Sequence, residues 1–317
     1  MRTGTERALV VLDRQEAAED IVRITFGDPD GGPLPSWRPG AHVSLLLPDD
    51  VERQYSLCGD DLGPSTWTIA VLRDEAGRGG SRWVHENLHP GAVVEARGPL
   101  NHFVLGKAER YEMIAGGIGI TPLLPMIAEV EAKGRQWRLS YAGRSRSTMA
   151  FVDELCERYP GHIEVYAADE GRRLDLPGLL GTPQPGTQVY ACGPGRLIDE
   201  AEELVSAWPG TELHTERFAP RELSAPVRDE AFDVELIYSG QTITVQPHQS
   251  VLEAAEAAGA MVVASCREGT CGTCDTPVVM GEVDHRDSVL RPAERAQGDR
   301  MMICVSRAAC SLLSLEL

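Results

Sequence analysis

The chain has 317 residues, which at about 150 residues per domain predicts two domains with room for a third. Hydrophobic residues make up 42% and charged residues 25%, ordinary globular proportions that exclude wholesale disorder. Thirty Lys+Arg against 48 Asp+Glu leave a net charge of -18, which excludes a nucleic-acid partner that needs a basic surface. The acid is spread, about -6 over residues 1–105, -5 over 106–227 and -7 over 228–317 by residue count, and suits partners with complementary basic surfaces. Apolar runs such as Pro122 to Val130 fall short of the ~20 residues that span a bilayer. The opening MRTGTERALVVLDRQEAAED has no signal-peptide core. The expectation is a cytoplasmic protein with no membrane contact.

The first ~105 residues read as β structure. Alternating stretches recur at Ala8–Leu12, Ile21–Phe26, His42–Leu47, Thr66–Leu72 and Val93–Ala96, with turns such as Gly31-Gly32-Pro33, Arg38-Pro39-Gly40 and His89-Pro90-Gly91 between them. Such spacing predicts an antiparallel barrel or sandwich. A helix is expected at Arg82–Leu88. The pattern then changes to strands at Tyr111–Ala115, Trp137–Ala142, His162–Ala167 and Gln188–Cys192, alternating with helices at Pro122–Lys133, Phe151–Arg158 and Leu197–Trp208. That alternation predicts a parallel sheet. Ala219 to Pro226 is polar with two prolines and reads as an exposed, extended linker. Phe232–Tyr238 and Gln241–Gln246 form a hairpin around Ser239-Gly240, and a helix at Val251–Ala258 ends at Gly259.

Three cysteines cluster at Cys266, Cys271 and Cys274, and Cys304 follows with 29 residues between it and the last. This is the C-x4-C-x2-C…C spacing of plant-type [2Fe–2S] clusters. Four thiolates hold two irons, and Gly269, Thr270, Gly272 and Thr273 are small enough for the loop to turn its peptide N–H groups toward sulfur. Structural zinc prefers two short cysteine pairs, whereas here one ligand is remote. Cys310 lies outside the pattern and reads as a free, partly buried thiol.

With these cysteines, residues 228–317 resemble a plant-type ferredoxin domain. The whole chain resembles the phthalate dioxygenase reductase family, single-chain FMN and iron–sulfur reductases of Rieske oxygenases and demethylases, the vanillate demethylase reductases among them. Three further motifs support the resemblance. Arg53-Gln54-Tyr55-Ser56-Leu57 matches the family's flavin motif: an Arg clamps phosphate, an aromatic ring flanks the flavin and a hydroxyl reaches a ring nitrogen. Its partner is Gly77-Arg78-Gly79-Gly80-Ser81, a glycine-rich helix start that offers N–H groups to an anion. In the family this pair holds the phosphate of FMN. Gly98 to Phe103 matches the barrel-closing segment, with His102 a surface or structural residue.

Ala115 to Pro122 follows a strand and precedes a helix, and the family uses this form, here Gly116, Gly117, Gly119, Thr121 and Pro122, for the nicotinamide dinucleotide. Cys192-Gly193-Pro194 ends a later strand, and in the family it lies by the nicotinamide. Arg144, in the segment Gly143 to Ser147, sits where the adenosine ribose is expected. An Arg there admits NADPH, and family members with similar residues still use NADH. Phe218, after His214-Thr215-Glu216-Arg217, resembles the family's aromatic flavin neighbour.

The resemblance therefore implies a multi-domain fold: an antiparallel FMN-binding β-barrel over 1–105, a ferredoxin reductase-like α/β NAD(P)H-binding domain over 106–220, a linker over 221–227 and an α+β β-grasp ferredoxin over 228–317. It implies an NAD(P)H-dependent reductase that feeds electrons singly through the [2Fe–2S] cluster to a terminal oxygenase. Ser56 and Cys192 are expected beside the reacting atoms and Cys266, Cys271, Cys274 and Cys304 as ligands. Rieske-type oxygenases are the first expectation for the acceptor; a cytochrome P450 acceptor, or a non-enzymatic redox-sensing role, are the alternatives. Cys271→Ser is expected to leave flavin reduction by nicotinamide intact while abolishing transfer to a ferredoxin-dependent acceptor. Anaerobic flavin bleaching and acceptor reduction, measured side by side, check this.

Overall fold

A computed structural model of the chain describes residues 6–49, 51–59, 65–208, 213–222 and 225–317. Leu223 and Ser224 of the expected linker lie outside the described residues. The described residues up to Phe218 form one compact unit and those from Ala219 form a second.

The first unit opens with β1 (Glu6–Ala18), β2 (Ile21–Gly27), β3 (Ala41–Leu47), β4 (Val51–Ser56) and β5 (Trp67–Leu72), then α1 (Gly80–Asn87) and β6 (Val93–Asn101). The six strands are antiparallel in the order β4-β3-β6-β1-β2-β5. The sheet curls until its two edges meet at a single bridge between Leu57 and Ile69, so the barrel reading holds over the sandwich. Alternation drives this closure. Leu9 and Val11, Ile24 and Phe26, Val43 and Leu45, and Ile69 and Val71 all point inward around Trp67. Burying each such side chain contributes roughly 1.5–3 kcal/mol.

The chain continues through β7 (Arg110–Gly116), α2 (Leu123–Ala132), β8 (Gln136–Gly143), α3 (Val152–Arg158), β9 (Ile163–Ala167), α4 (Leu176–Leu180), β10 (Thr187–Cys192), α5 (Gly195–Val205) and β11 (Leu213–Glu216). These strands form a parallel sheet in the order β11-β10-β7-β8-β9. Helices α2 and α3 pack on one face against Met113, Leu139 and Tyr141, while α4 and α5 cover Ile114, Val189 and Ala191 on the other. Coverage on both faces explains why β7 is apolar from Met113 to Ala115 without alternation. Strand β7 lies between β10 and β8, which places a ligand crevice at their C-terminal ends, at Gly116 and Cys192.

The second unit comprises β12 (Phe232–Leu236), β13 (Gln241–Val245), α6 (Val251–Ala257), β14 (Asp275–Met280), β15 (Val283–Asp284), α7 (Pro292–Gln297), β16 (Arg300–Met302), β17 (Arg307–Ala308) and β18 (Leu312–Leu315). Its five-stranded mixed sheet runs β13-β12-β18-β14-β16, with β12 and β18 parallel. Ser250 starts α6 with a reciprocal cap: its hydroxyl accepts from the Glu253 N–H, and Glu253 accepts from the Ser250 N–H. Linker residues are tied to this unit, with the Arg221 N–H donating to Ser288 Oγ and the Val227 N–H to Asp284 Oδ2. No helix among the described residues is long and apolar enough to cross a membrane.

One polar side chain breaks the apolar run of β7. Glu112 is buried, Oε1 lacks a partner, and desolvation pushes its carboxyl up to about 7 against the opposing pull of Arg138. Because this value lies above the ordinary 4.5, the folded chain holds an extra proton between those two pH values. Stability therefore falls as pH rises through that window. Glu112→Gln is expected to be the more stable protein at pH 8, by up to about 3 kcal/mol, with the advantage gone near pH 4.5. Urea midpoints at the two pH values measure it.

Candidate functional site

Strand β4 carries Arg53, Gln54, Tyr55 and Ser56, and α1 starts alongside it. Gly79 precedes α1 with φ 85°, a left-handed conformation that favours glycine. A β-carbon on Gly80 would sit 2.5 Å from Arg53 Cγ, so the missing side chain is what lets Arg53 lie across the helix start. Helix α1 has no side-chain cap and no acid in its first turn. Ser81 Oγ accepts the Asp74 N–H and keeps its own proton free to donate. Free helix N–H groups, a hydroxyl and an adjacent guanidinium suit a terminal phosphate. Tyr55 is half-buried, and burial raises its phenol, which stays neutral.

At the far end of β4, the Ser56 hydroxyl donates to Glu216 Oε2 at 3.3 Å. Glu216 ends β11, opposite Cys192 at the end of β10. Burial pushes the Glu216 carboxyl up to about 8, opposed by its bond to Ser56. Cys192 is fully buried, and burial, reinforced by Glu216, raises its thiol well above the ordinary range. Cys192 is thus a neutral, compact group rather than a nucleophile.

The glycine turn packs against this corner. A β-carbon on Gly116 would meet Pro194 Cδ at 2.6 Å, one on Gly119 would meet the Cys192 carbonyl oxygen at 2.3 Å, and one on Gly193 would meet Gly116 Cα at 2.9 Å. Gly117, at φ 56°, has nothing within 4 Å of a β-carbon position and leaves open backbone. The turn is a short 3-10 segment, and Thr121 is buried with its hydroxyl donating to the Ile118 carbonyl. Thr121 therefore closes the turn, and Pro122 leads into α2. Arg144 is exposed after β8, while nearby Arg146 pairs with Asp153 at 2.9 Å and Glu170 at 3.7 Å. Phe218 is 47% exposed, so core packing does not hold it.

In the second unit the four cysteines converge. Cys266 lies within hydrogen-bonding reach of Cys271 and Cys304, and Cys304 within reach of Cys274. Bonds from Cys271 and Cys304 hold the Cys266 thiol well below its usual range. The Glu268 N–H donates to Cys266 Sγ and the Thr273 N–H to Cys271 Sγ, both at 3.4 Å. Arg267 at φ 57°, Gly269 at φ 70° and Gly272 at φ 72° make the turns that aim these groups. Arg267 is anchored by a two-point ion pair to Glu256 on α6. Four gathered sulfurs with inward peptide N–H groups fit a [2Fe–2S] cluster. Cys310 stays apart, with its thiol donating to the Leu312 carbonyl at 3.0 Å.

The 2Fe-2S iron-sulfur cluster binding domain family matches residues 234–309. A carnitine monooxygenase reductase subunit from Acinetobacter baumannii is 39% identical, with all of both chains covered. Phthalate dioxygenase reductase, solved as a modular structure for electron transfer from pyridine nucleotides to [2Fe-2S], is 36% identical with a TM-score of 0.70 over 98% of each chain. An intact type IV self-sufficient cytochrome P450 monooxygenase is 46% identical with a TM-score of 0.92. That match covers 98% of this chain, which spans 41% of the P450 protein. The chain belongs to the phthalate dioxygenase reductase family of oxygenase reductases. It is an oxidoreductase whose cofactors are FMN, NAD(P)H and a [2Fe–2S] cluster.

Gly119→Ala forces a methyl group against the Cys192 carbonyl and must part the two strand ends. Nicotinamide nucleotide affinity is expected to fall by at least about tenfold, the cost of roughly 1.4 kcal/mol. Flavin absorbance is expected to persist, and spectrophotometric titration of the flavoprotein measures both.

Proposed function

We propose that this chain takes electrons from a nicotinamide nucleotide, NADH by slight preference, and delivers them singly to a Rieske-type oxygenase or demethylase in the cytoplasm. The observation that carries the reading is the convergence of Ser56, Cys192 and Glu216 from three strand ends beside the glycine turn. When bound, FMN accepts two electrons as hydride and releases them one at a time to the cluster. Arg53 with Gly79, Gly80 and Ser81 would hold the flavin phosphate, Gln54 and Tyr55 line the same strand, and Ser56 would offer its hydroxyl to the ring. Glu216, protonated through neutral pH, holds that hydroxyl in place. Gly116, Gly117 and Gly119 bring backbone close to the dinucleotide, Thr121 and Pro122 fix the turn, and Gly193 and Pro194 set its other wall. Cys192 packs as a neutral thiol along the hydride path. Arg144 faces the adenosine ribose, and Phe218 flanks the flavin. Cys266, Cys271, Cys274 and Cys304 ligate the irons, and the Glu268 and Thr273 N–H groups tune the cluster.

A cytochrome P450 acceptor is the second reading, and the 46% identity to the self-sufficient P450 favours it. The intact phosphate cradle and glycine turn argue against a sensor without nucleotide chemistry. Anaerobic titration with NADH and then NADPH, followed by visible absorption, tests the proposal. Loss of the flavin bands with partial loss of iron–sulfur absorption is expected. A flavin that neither nucleotide reduces would overturn it. Supplying the reduced protein to a Rieske oxygenase and to a P450 in parallel then separates the two acceptors.

A further inference from the structure

Arg217 is the residue between Glu216 and Phe218, and its side chain is only 3% exposed. Its guanidinium reaches back to α5, pairing with Asp199 at 2.7 Å and Glu202 at 3.2 Å and donating to the Gly195 carbonyl at 3.4 Å. Thr215 adds a bond from its hydroxyl to Glu202 Oε1. Gly195 opens α5 directly after Gly193-Pro194, so every partner of Arg217 sits on the helix that starts at the glycine crevice. The strand holding Glu216 is four residues long and, among the described residues, pairs with β10 alone. Such a short edge strand gains little from its own ladder. A buried charge held by two carboxylates makes removal of one partner far costlier than loss of an exposed pair.

We propose that Arg217 is a positioning residue: it anchors the end of β11 to α5 and so keeps the Glu216 carboxyl over Cys192 and against Ser56. The inference rests on the proposed function for its kinetic consequence, and on geometry alone for its structural one. Without the anchor, the last residues of the strand lift from β10 and open the buried Cys192.

The test is peptide-resolved alkylation of the flavin-replete protein by iodoacetamide, with Cys58, 6% exposed just after β4 and packed in the same apolar cluster as Cys192, as the internal reference. In Arg217→Met, Cys192 is expected to label at least about tenfold faster while Cys58 keeps its wild-type rate. The rate of flavin reduction by NADH is expected to fall toward a hundredfold, the scale on which an ångström's misplacement acts, with the KM for NADH changed less than about threefold. Arg217→Lys restores part of both. Asp199→Asn, which leaves Glu202 as a partner, supplies a milder variant expected to lie between wild type and Arg217→Met. It decides the question where Arg217→Met does not fold. Continued protection of Cys192 in a folded variant would overturn the proposal, as would parallel gains at Cys192 and Cys58, which mark general loosening. A wild-type flavin that no nicotinamide nucleotide reduces would sink the functional reading alone, and the alkylation result would still decide the role of Arg217.

Discussion

The close approach of two strand ends in the parallel sheet governs the rest of the first unit. Gly119 lies where any side chain would collide with the Cys192 carbonyl, and Gly116 and Gly193 meet almost backbone to backbone. Only residues without a β-carbon permit this. Once the ends of β7 and β10 are this close, the crevice floor is main chain, and a charged dinucleotide can approach peptide N–H groups and the start of α2 together. The same closeness seats Cys192 beside β11, and hence beside Glu216, whose other partner is Ser56 of the barrel. One steric constraint thus joins barrel strand β4 to the parallel sheet that carries the glycine turn.

The second unit depends on a different device. Its cysteine loop has no regular structure between α6 and β14, so its shape comes from left-handed residues at Gly259, Arg267, Gly269 and Gly272 and from anchors outside it. Arg267 ties the loop to α6, and the Ser288 N–H takes the Gly269 carbonyl at 2.7 Å. Asp287, fully buried, accepts from the N–H groups of Val289 and Leu290 and so stiffens the segment that covers Gly269. A loop held this way presents its sulfurs by preorganisation.

Much of this was legible in the residues. Most long strands and helices up to β10 follow apolar periodicity, because each buries one face or both over five or more residues; β4 is an exception, with only Ser56 of its six residues buried. The expected helix at Leu197–Trp208 starts two residues earlier, where Pro194 can only precede a helix. What periodicity does not reveal is α4, β11 and the strands after α6. Several of these run two to four residues, too few to show a period, and their pairing depends on distant partners such as Asp233 with Leu312. The cysteine spacing and glycine motifs were read directly, since their chemistry is local. Glu216 and Arg217 were overlooked because a carboxylate and a guanidinium side by side read as solvated surface. Their burial depends on Ser56, Asp199 and Glu202, none of which is near in sequence. An acid and a base just short of an aromatic are the faint signal they offered.

The single bridge that closes the barrel has a further consequence. Among the described residues, strand β4 is ladder-paired to β3 alone, and its one bridge to β5 lies just beyond its end, at Leu57. One border of the Arg53–Ser56 segment therefore keeps peptide groups that the sheet does not claim. Recognition made through such groups does not depend on which side chains stand there, provided the strand keeps its course. A change of side chain at Gln54 leaves that border in place, whereas a β-carbon at Gly80 would press on Arg53 and disturb it.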